Sequence, residues 1–248
     1  MLAVGAAIAF AVVAFFVWFL IIRDTSPASV DSRAASDARQ QALDEAGDTG
    51  TEPAGSEGLD GLWTVDTSIG SFDEACLSDV CNTSFAGFRI DEVLARFGAK
   101  TVVGRSPGVS GSLEIAGATI TNVDIVVDMT QLITDDDRRT NAIRSQAIET
   151  GAFPEASFVL SSPIQLGSIP AEGESVTVQA TGELTIRGVT RTETIDLTAE
   201  LSGGVIVVFG QLGPILLADF DIDKPQAAIV LSVEDNAIME LQLFFTQQ

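Results

Sequence analysis

The sequence predicts an all-β, antiparallel domain over residues 62–248. From Ser175 to Leu201 (SVTVQATGELTIRGVTRTETIDLTAEL) apolar and polar residues alternate on both sides of a short polar turn. Val176, Val178, Ala180, Leu184 and Ile186 fall at one parity, and Ile195, Leu197, Ala199 and Leu201 do the same after the turn, the mark of a hairpin with one greasy face per strand. Comparable stretches recur with short connections, which fits antiparallel neighbours. No helical pattern separates successive strands, so a parallel α/β sheet is excluded.

Before that domain, Leu2–Ile22 (LAVGAAIAFAVVAFFVWFLII) contains no charge and no proline. At ~1.5 Å per residue the run covers roughly 31 Å, the thickness of a bilayer's hydrocarbon core. Residues 1–23 read as a single transmembrane signal anchor. A cleaved signal peptide is the alternative, although its apolar region would normally be only about 7–15 residues long. Arg23, taken alone, favours a cytoplasmic side for the domain beyond it. Residues 24–61 are dominated by Ala, Ser, Asp, Glu, Gly and Thr, a solvated acidic linker with too little apolar surface to repay ordering. A flexible chain of that length spans roughly 30–37 Å.

Trp63 opens the folded part. WTVDTS (Trp63–Ser68) reads as a first strand, followed by a loop carrying both cysteines and then TSFAGFRIDEVL (Thr83–Leu94). Val109–Gly117 and Ala118–Thr130 form a second hairpin, in which Thr121, Val123, Ile125, Val127 and Met129 share a face. Ala156–Leu166 is a short strand. After the 175–201 hairpin come Gly204–Leu212, Pro214–Ile222 and a last strand in Asn236–Gln248. Only Asp135–Phe153 looks helical, with Asp135, Asp136 and Asp137 where a helix N-terminus favours negative charge. These carboxylates lack the spacing of a calcium loop, so a solvated helix start is the preferred reading over a cation site.

Long strands with one apolar face must close into a barrel or pair as a sandwich to hide their edges. An eight-stranded barrel either fills its interior with side chains or holds one small ligand, and periodicity does not choose between them. Val178, Ala180, Leu184, Ile195, Leu197 and Leu241 are expected to point inward. The small residues Ala180 and Gly182 at inward positions favour a cavity.

Charge and composition remove several function classes. The chain carries 13 basic and 35 acidic residues, a net charge of −22, with no histidine and no tyrosine. Such a surface repels phosphate backbones, so a nucleic-acid partner is not expected. Without histidine there is no Ser-His-Asp or Cys-His apparatus and no histidine metal site. No catalytic residue, cofactor or metal is assigned, and the chain is not read as an enzyme. Cys76 and Cys81 are too few for a zinc site, and their spacing is not that of a thioredoxin-type pair. A local disulfide is the natural reading in an oxidising compartment, with free structural thiols the alternative. The disulfide reading places the domain outside the cytoplasm, against the hint from Arg23.

Four motifs in order carry a family resemblance over about Trp63–Phe245. GELTIRGVTRTETIDL (Gly182–Leu197) resembles the G-x-L-T-I-x-G-V-T-[RK] signature of the YceI-like proteins, extracytoplasmic lipocalin-like barrels. DRRTNAIRSQAIETGAFPEASFVLSS (Asp137–Ser162) is similar to that family's helix and the aromatic-Pro-x-x-x-Phe lead-in to its next strand. WTVDTS at the start, and DFDIDKPQ with SVEDNAIMELQLFF at the end, also fit. The resemblance implies an antiparallel eight-stranded barrel with one helical insertion and an internal apolar tunnel for an isoprenoid or other long-chain amphiphilic lipid. On that basis Val178, Ala180, Leu184, Ile195, Leu197 and Leu241 would bind the tail, and Arg89, Arg138 and Arg144 are candidates for an anionic head, because guanidinium groups match phosphate geometry. Many members carry histidines after the first strand; here Asp66-Thr67-Ser68 and Phe85–Arg89 stand there, with the cysteine loop inserted. Head recognition is therefore expected to differ, and histidine-dependent haem or metal chemistry is ruled out. The expectation is a single-pass membrane-anchored extracytoplasmic carrier; the alternative is a ligand-free barrel serving as a protein-interaction module.

Overall fold

The computed structural model describes residues 58–77, 81–95, 98–225 and 230–248. The anchor expected at 1–23 and most of the linker expected at 24–61 lie outside the described residues. Among the described residues no helix is long and apolar enough to cross a membrane.

Thirteen strands follow one another among the described residues: β1 (Gly61–Val65), β2 (Phe85–Leu94), β3 (Gly98–Ser106), β4 (Val109–Ala116), β5 (Thr119–Asp128), β6 (Ile133–Thr134), β7 (Glu155–Leu160), β8 (Ile164–Gln165), β9 (Ser175–Ile186), β10 (Val189–Ser202), β11 (Val205–Ile215), β12 (Val230–Val233) and β13 (Ala237–Gln247). Among the described residues the α-helix is α1 (Asp137–Ala142), which runs on into a π turn at Ile143–Ala147. The order β1-β4-β5-β7-β9-β10-β11-β13 returns to β1 through pairs such as Trp63↔Gln247 and Val65↔Phe245, which closes an antiparallel eight-stranded barrel. The same edge of β13 that meets β1 near its C-terminal end carries β2 along Ile238–Gln242, and β3 and β6 extend outward from β2.

The predicted hairpin is β9–β10, paired from Ser175↔Glu200 to Ile186↔Val189. Its turn is shorter than the polar break suggests, because Val189, Thr190 and Arg191 already belong to β10. Arg187 (φ 51°) and Gly188 (φ 74°) are both left-handed, the two-residue geometry that matches the twist of the flanking strands. A Cβ on Gly188 would also lie 2.9 Å from the Phe153 ring. The turn is anchored at both arginines. Arg187 donates to Asp221 O and pairs with Glu149, while Arg191 pairs with Asp219 at 3.1 Å.

Two apolar clusters divide the interior. Trp63, Leu113, Val208, Leu243 and Phe245 fill one half. In the other, Ile143, Ala147 and Ile148 pack against Leu184, Ile186 and Phe220, so the helical segment closes that end of the barrel. The helix is shorter than the 135–153 run predicts. Ile148 N–H reaches back to Ile143 O, Thr150 N–H to Arg144 O, and Glu149 adopts a left-handed φ of 55°, which ends the coil.

Asp136 caps α1, accepting from Arg138 N at 2.8 Å and Arg139 N at 3.2 Å, the arrangement anticipated for the acidic triplet. The Arg138 guanidinium, aided by these main-chain N–H groups, holds the Asp136 carboxyl below its ordinary value. A depressed folded value means the stabilisation is present above the unfolded pKa of about 3.9 and is lost as pH falls through the folded one. Asp136→Ala is expected to cost about 1 kcal/mol at neutral pH. In urea melts the gap from wild type should close below about pH 4; a gap independent of pH would show that the carboxylate is not the source.

Cys76 and Cys81 form the expected disulfide. With Phe72 and Phe85 they build a small satellite core outside the barrel wall. The loop also satisfies groups on β13: Gln242 Nε2 donates to Cys81 O (2.8 Å) and Thr83 O (3.0 Å), and Ser84 Oγ accepts from Phe244 N (3.0 Å). Replacing both cysteines with serine should lower stability by about 2 kcal/mol on the chain-entropy estimate for so short a loop. An unchanged urea midpoint would mean that packing alone holds the loop.

Candidate functional site

The barrel interior is not filled. Among the described residues, cavities of about 60, 130 and 110 Å³ lie end to end along its length. Strand β9 orders them. Val176 lines the first, Val178 the first and second, Ala180 and Leu184 the second, and Ile186 the third. The period of two in the sequence thus becomes one continuous inner wall. From Val176 to Ile186 is ten residue steps, roughly 33 Å of strand or about 25 Å along the barrel axis at a usual tilt.

All six residues expected to face a lipid tail, Val178, Ala180, Leu184, Ile195, Leu197 and Leu241, line the central cavity. Its wall is almost wholly apolar. Glu240 touches it, but that carboxylate is committed to Arg89 (Oε2 to Nε, 3.0 Å) and Arg105 (Oε1 to Nη2, 2.8 Å). Only one of the two small residues opens space. Gly182, contrary to expectation, makes no room for a ligand, because the Phe158 ring already occupies the place of its side chain, 2.5 Å from where a Cβ would stand. Ala180, without such a lid, does open onto the cavity.

The three arginines proposed for an anionic head lie apart from the cavities. Arg89 is on the outer side of β2, held by Glu240. Arg138 is exposed and bonds Asp136 at 3.3 Å. Arg144 donates from Nε to Leu132 O at 2.8 Å. None of them lines any of these three cavities. The charged groups that do line the third cavity are Glu92 and Arg139, joined at 2.7 Å and both largely buried. A sequence signal for Arg139 existed. It stands four residues before Ile143 on one helix face, and Ile143 packs into the barrel end.

Beside Glu240, Arg105 is a further buried charge that leaves no mark in the hydrophobic pattern. Its residue exposure is 1%, its guanidinium sits 4.2 Å above the Phe85 ring, and Nη1 donates to Cys76 O. Burial pulls its pKa below the ordinary arginine value, while Glu240 opposes that shift. Among the described residues no group of three or more carboxylates or thiols converges as a metal site would.

A closed antiparallel eight-stranded barrel with a series of apolar cavities inside has the architecture of the small β-barrels whose interior is just wide enough for side chains or one small ligand. The YceI-like domain model matches residues 63–245, and the chain belongs to the YceI-like family. Among solved structures, a polyisoprenoid-binding domain from Saccharophagus degradans is 19% identical with a TM-score of 0.54; the match covers 75% of this chain and 98% of that one. BcnA from Burkholderia cenocepacia is 20% identical (TM-score 0.48, 64% and 95% covered). The YceI protein of Campylobacter jejuni is 17% identical (TM-score 0.45, 58% and 84% covered). No curated protein matches the chain.

Proposed function

We propose that the protein is a membrane-anchored, extracytoplasmic barrel that sequesters or carries an isoprenoid-type lipid. The observation that carries the reading is the succession of apolar cavities along the barrel, a shape suited to a long tail and to little else. Family membership supports it, as does the polyisoprenoid binding of the Saccharophagus relative. The process is passive. Each tail methylene transferred from water gains about 0.8 kcal/mol, and polar contacts at one end set orientation. An interaction module would need a packed interior and a contiguous apolar patch, whereas the exposed large apolar residues Leu62, Val159, Ile169, Leu216 and Leu231 are spread over separate elements. The apolar run at Leu2–Ile22 supports anchoring, and the Cys76–Cys81 disulfide supports an oxidising compartment.

Native mass spectrometry of the full chain from its own host, followed by organic extraction, tests the ligand. A stoichiometric adduct extracting as a polyprenyl species is expected. A clean unliganded mass, unchanged after incubation with polyprenyl lipids and quinones, would sink the carrier reading. Alkylating thiols at the moment of lysis tests the location, since reactive Cys76 and Cys81 would point to a reducing compartment.

A further inference from the structure

We propose that the tunnel selects an amphiphile with an uncharged oxygen head, a hydroxyl or carbonyl, and that Glu92 and Arg139 form the seat of that head. This selectivity rests on the carrier reading and refines its ligand. The charges at the two ends of the cavity series carry it. At the α1 end Arg139 is already taken twice: Nη2 holds Glu92 Oε1 at 2.7 Å, and Nη1 holds Asp135. Lys100 Nζ is bound to the same Asp135 carboxylate at 2.6 Å. Two cations therefore face two carboxylates, and the end is locally neutral. At the opposite end Glu174 and Glu200 line the cavity, with no basic side chain among the described residues of its lining.

Other basic side chains near that end have partners as well, although Arg187 Nε is buried without an acceptor among the described residues and Arg144 bonds Leu132 O through Nε. Arg187 and Arg191 pair with Glu149 and Asp219, and Lys224 donates to Val233 O. A diphosphate entering the third cavity would meet the Glu92 carboxylate. To gain Arg139 it would strip that carboxylate of its partner, leaving a buried unpaired charge beside its own. The chain's overall charge of −22 adds to the repulsion. An uncharged head meets no such conflict. A guanidinium has five N–H donors and the two ion pairs use two, which leaves three for further acceptors such as a head oxygen. A hydroxyl can in turn donate to Glu92.

The test compares two probes with the same tail, geranylgeraniol and geranylgeranyl diphosphate, as competitors for a fluorescent polyprenol on the full chain held in a non-ionic amphipol. The alcohol should compete better by about tenfold or more. Glu92→Gln should narrow that difference by improving the diphosphate; should this variant fail to fold, the wild-type comparison decides alone. A diphosphate that competes as well as the alcohol, or better, overturns the head assignment and leaves the carrier reading standing. Failure of both probes to bind overturns the two together.

Discussion

Glu240→Ala will lower the unfolding free energy by about 3–5 kcal/mol, the range for removing one partner of a buried ion pair. Its side chain is fully buried between Arg105, at 2% side-chain exposure, and Arg89, at 14%. Truncation leaves two guanidinium groups facing each other beneath the disulfide loop, with Cys76 O and the Phe85 ring receiving Arg105 among the described residues. Urea titration with a free slope reads the effect as a lower midpoint at unchanged m. Replacing Glu240 and Arg105 together with apolar residues of similar volume should restore much of the loss, since burying the pair is itself costly. A loss below about 1 kcal/mol for Glu240→Ala would mean that water reaches the triad and that the loop is no seal.

Ala180→Trp should abolish retention of the lipid while the barrel stays folded. Ala180 is 1% exposed and stands in the middle of β9, on the wall of the central cavity. An indole there projects into about 130 Å³ of empty space rather than into packed neighbours, so the overpacking cost should stay near the low end of 1–3 kcal/mol. Circular dichroism checks the fold and mass spectrometry the adduct. An adduct of the same mass and stoichiometry in the variant would place the lipid outside the central cavity. Leu197→Trp, opposite Val178 on β10 and on the wall of the same cavity, gives an independent repeat of the experiment.

The barrel was legible where one face is wet and the other dry. Along β9, Thr177, Gln179 and Glu183 are exposed and their neighbours turn inward, so the period of two survives in the sequence. Strand β3 shows the opposite case. Val102, Val103, Gly104, Arg105 and Ser106 are buried in succession, because the inner side meets the barrel end and the outer side meets the disulfide loop, and no alternation remains to be read. The cavity wall could be named from parity alone, but whether it was empty could not. That depends on which glycines are roofed, as Gly182 is by Phe158, and on side chains arriving from other strands. The polar end escaped for a similar reason. Glu92 and Arg139 are 47 residues apart, and only the closure of the fold joins them.

The seam between β1 and β13 sets the order of folding. Trp63 meets Gln247 across nearly the whole domain, while β4–β5, β9–β10 and β10–β11 join near neighbours through two-residue turns. Hairpins of that kind form in about 1–10 μs, whereas non-local β pairing typically takes milliseconds to seconds. For most of its folding time the chain is therefore an open trough rather than a tube, with its apolar floor exposed. On the carrier reading, a long-chain lipid that lies in the trough is enclosed when the seam zips, a second route beside entry into the finished barrel. If folding contributes to loading, refolding in the presence of lipid should load more of it than incubating the finished barrel.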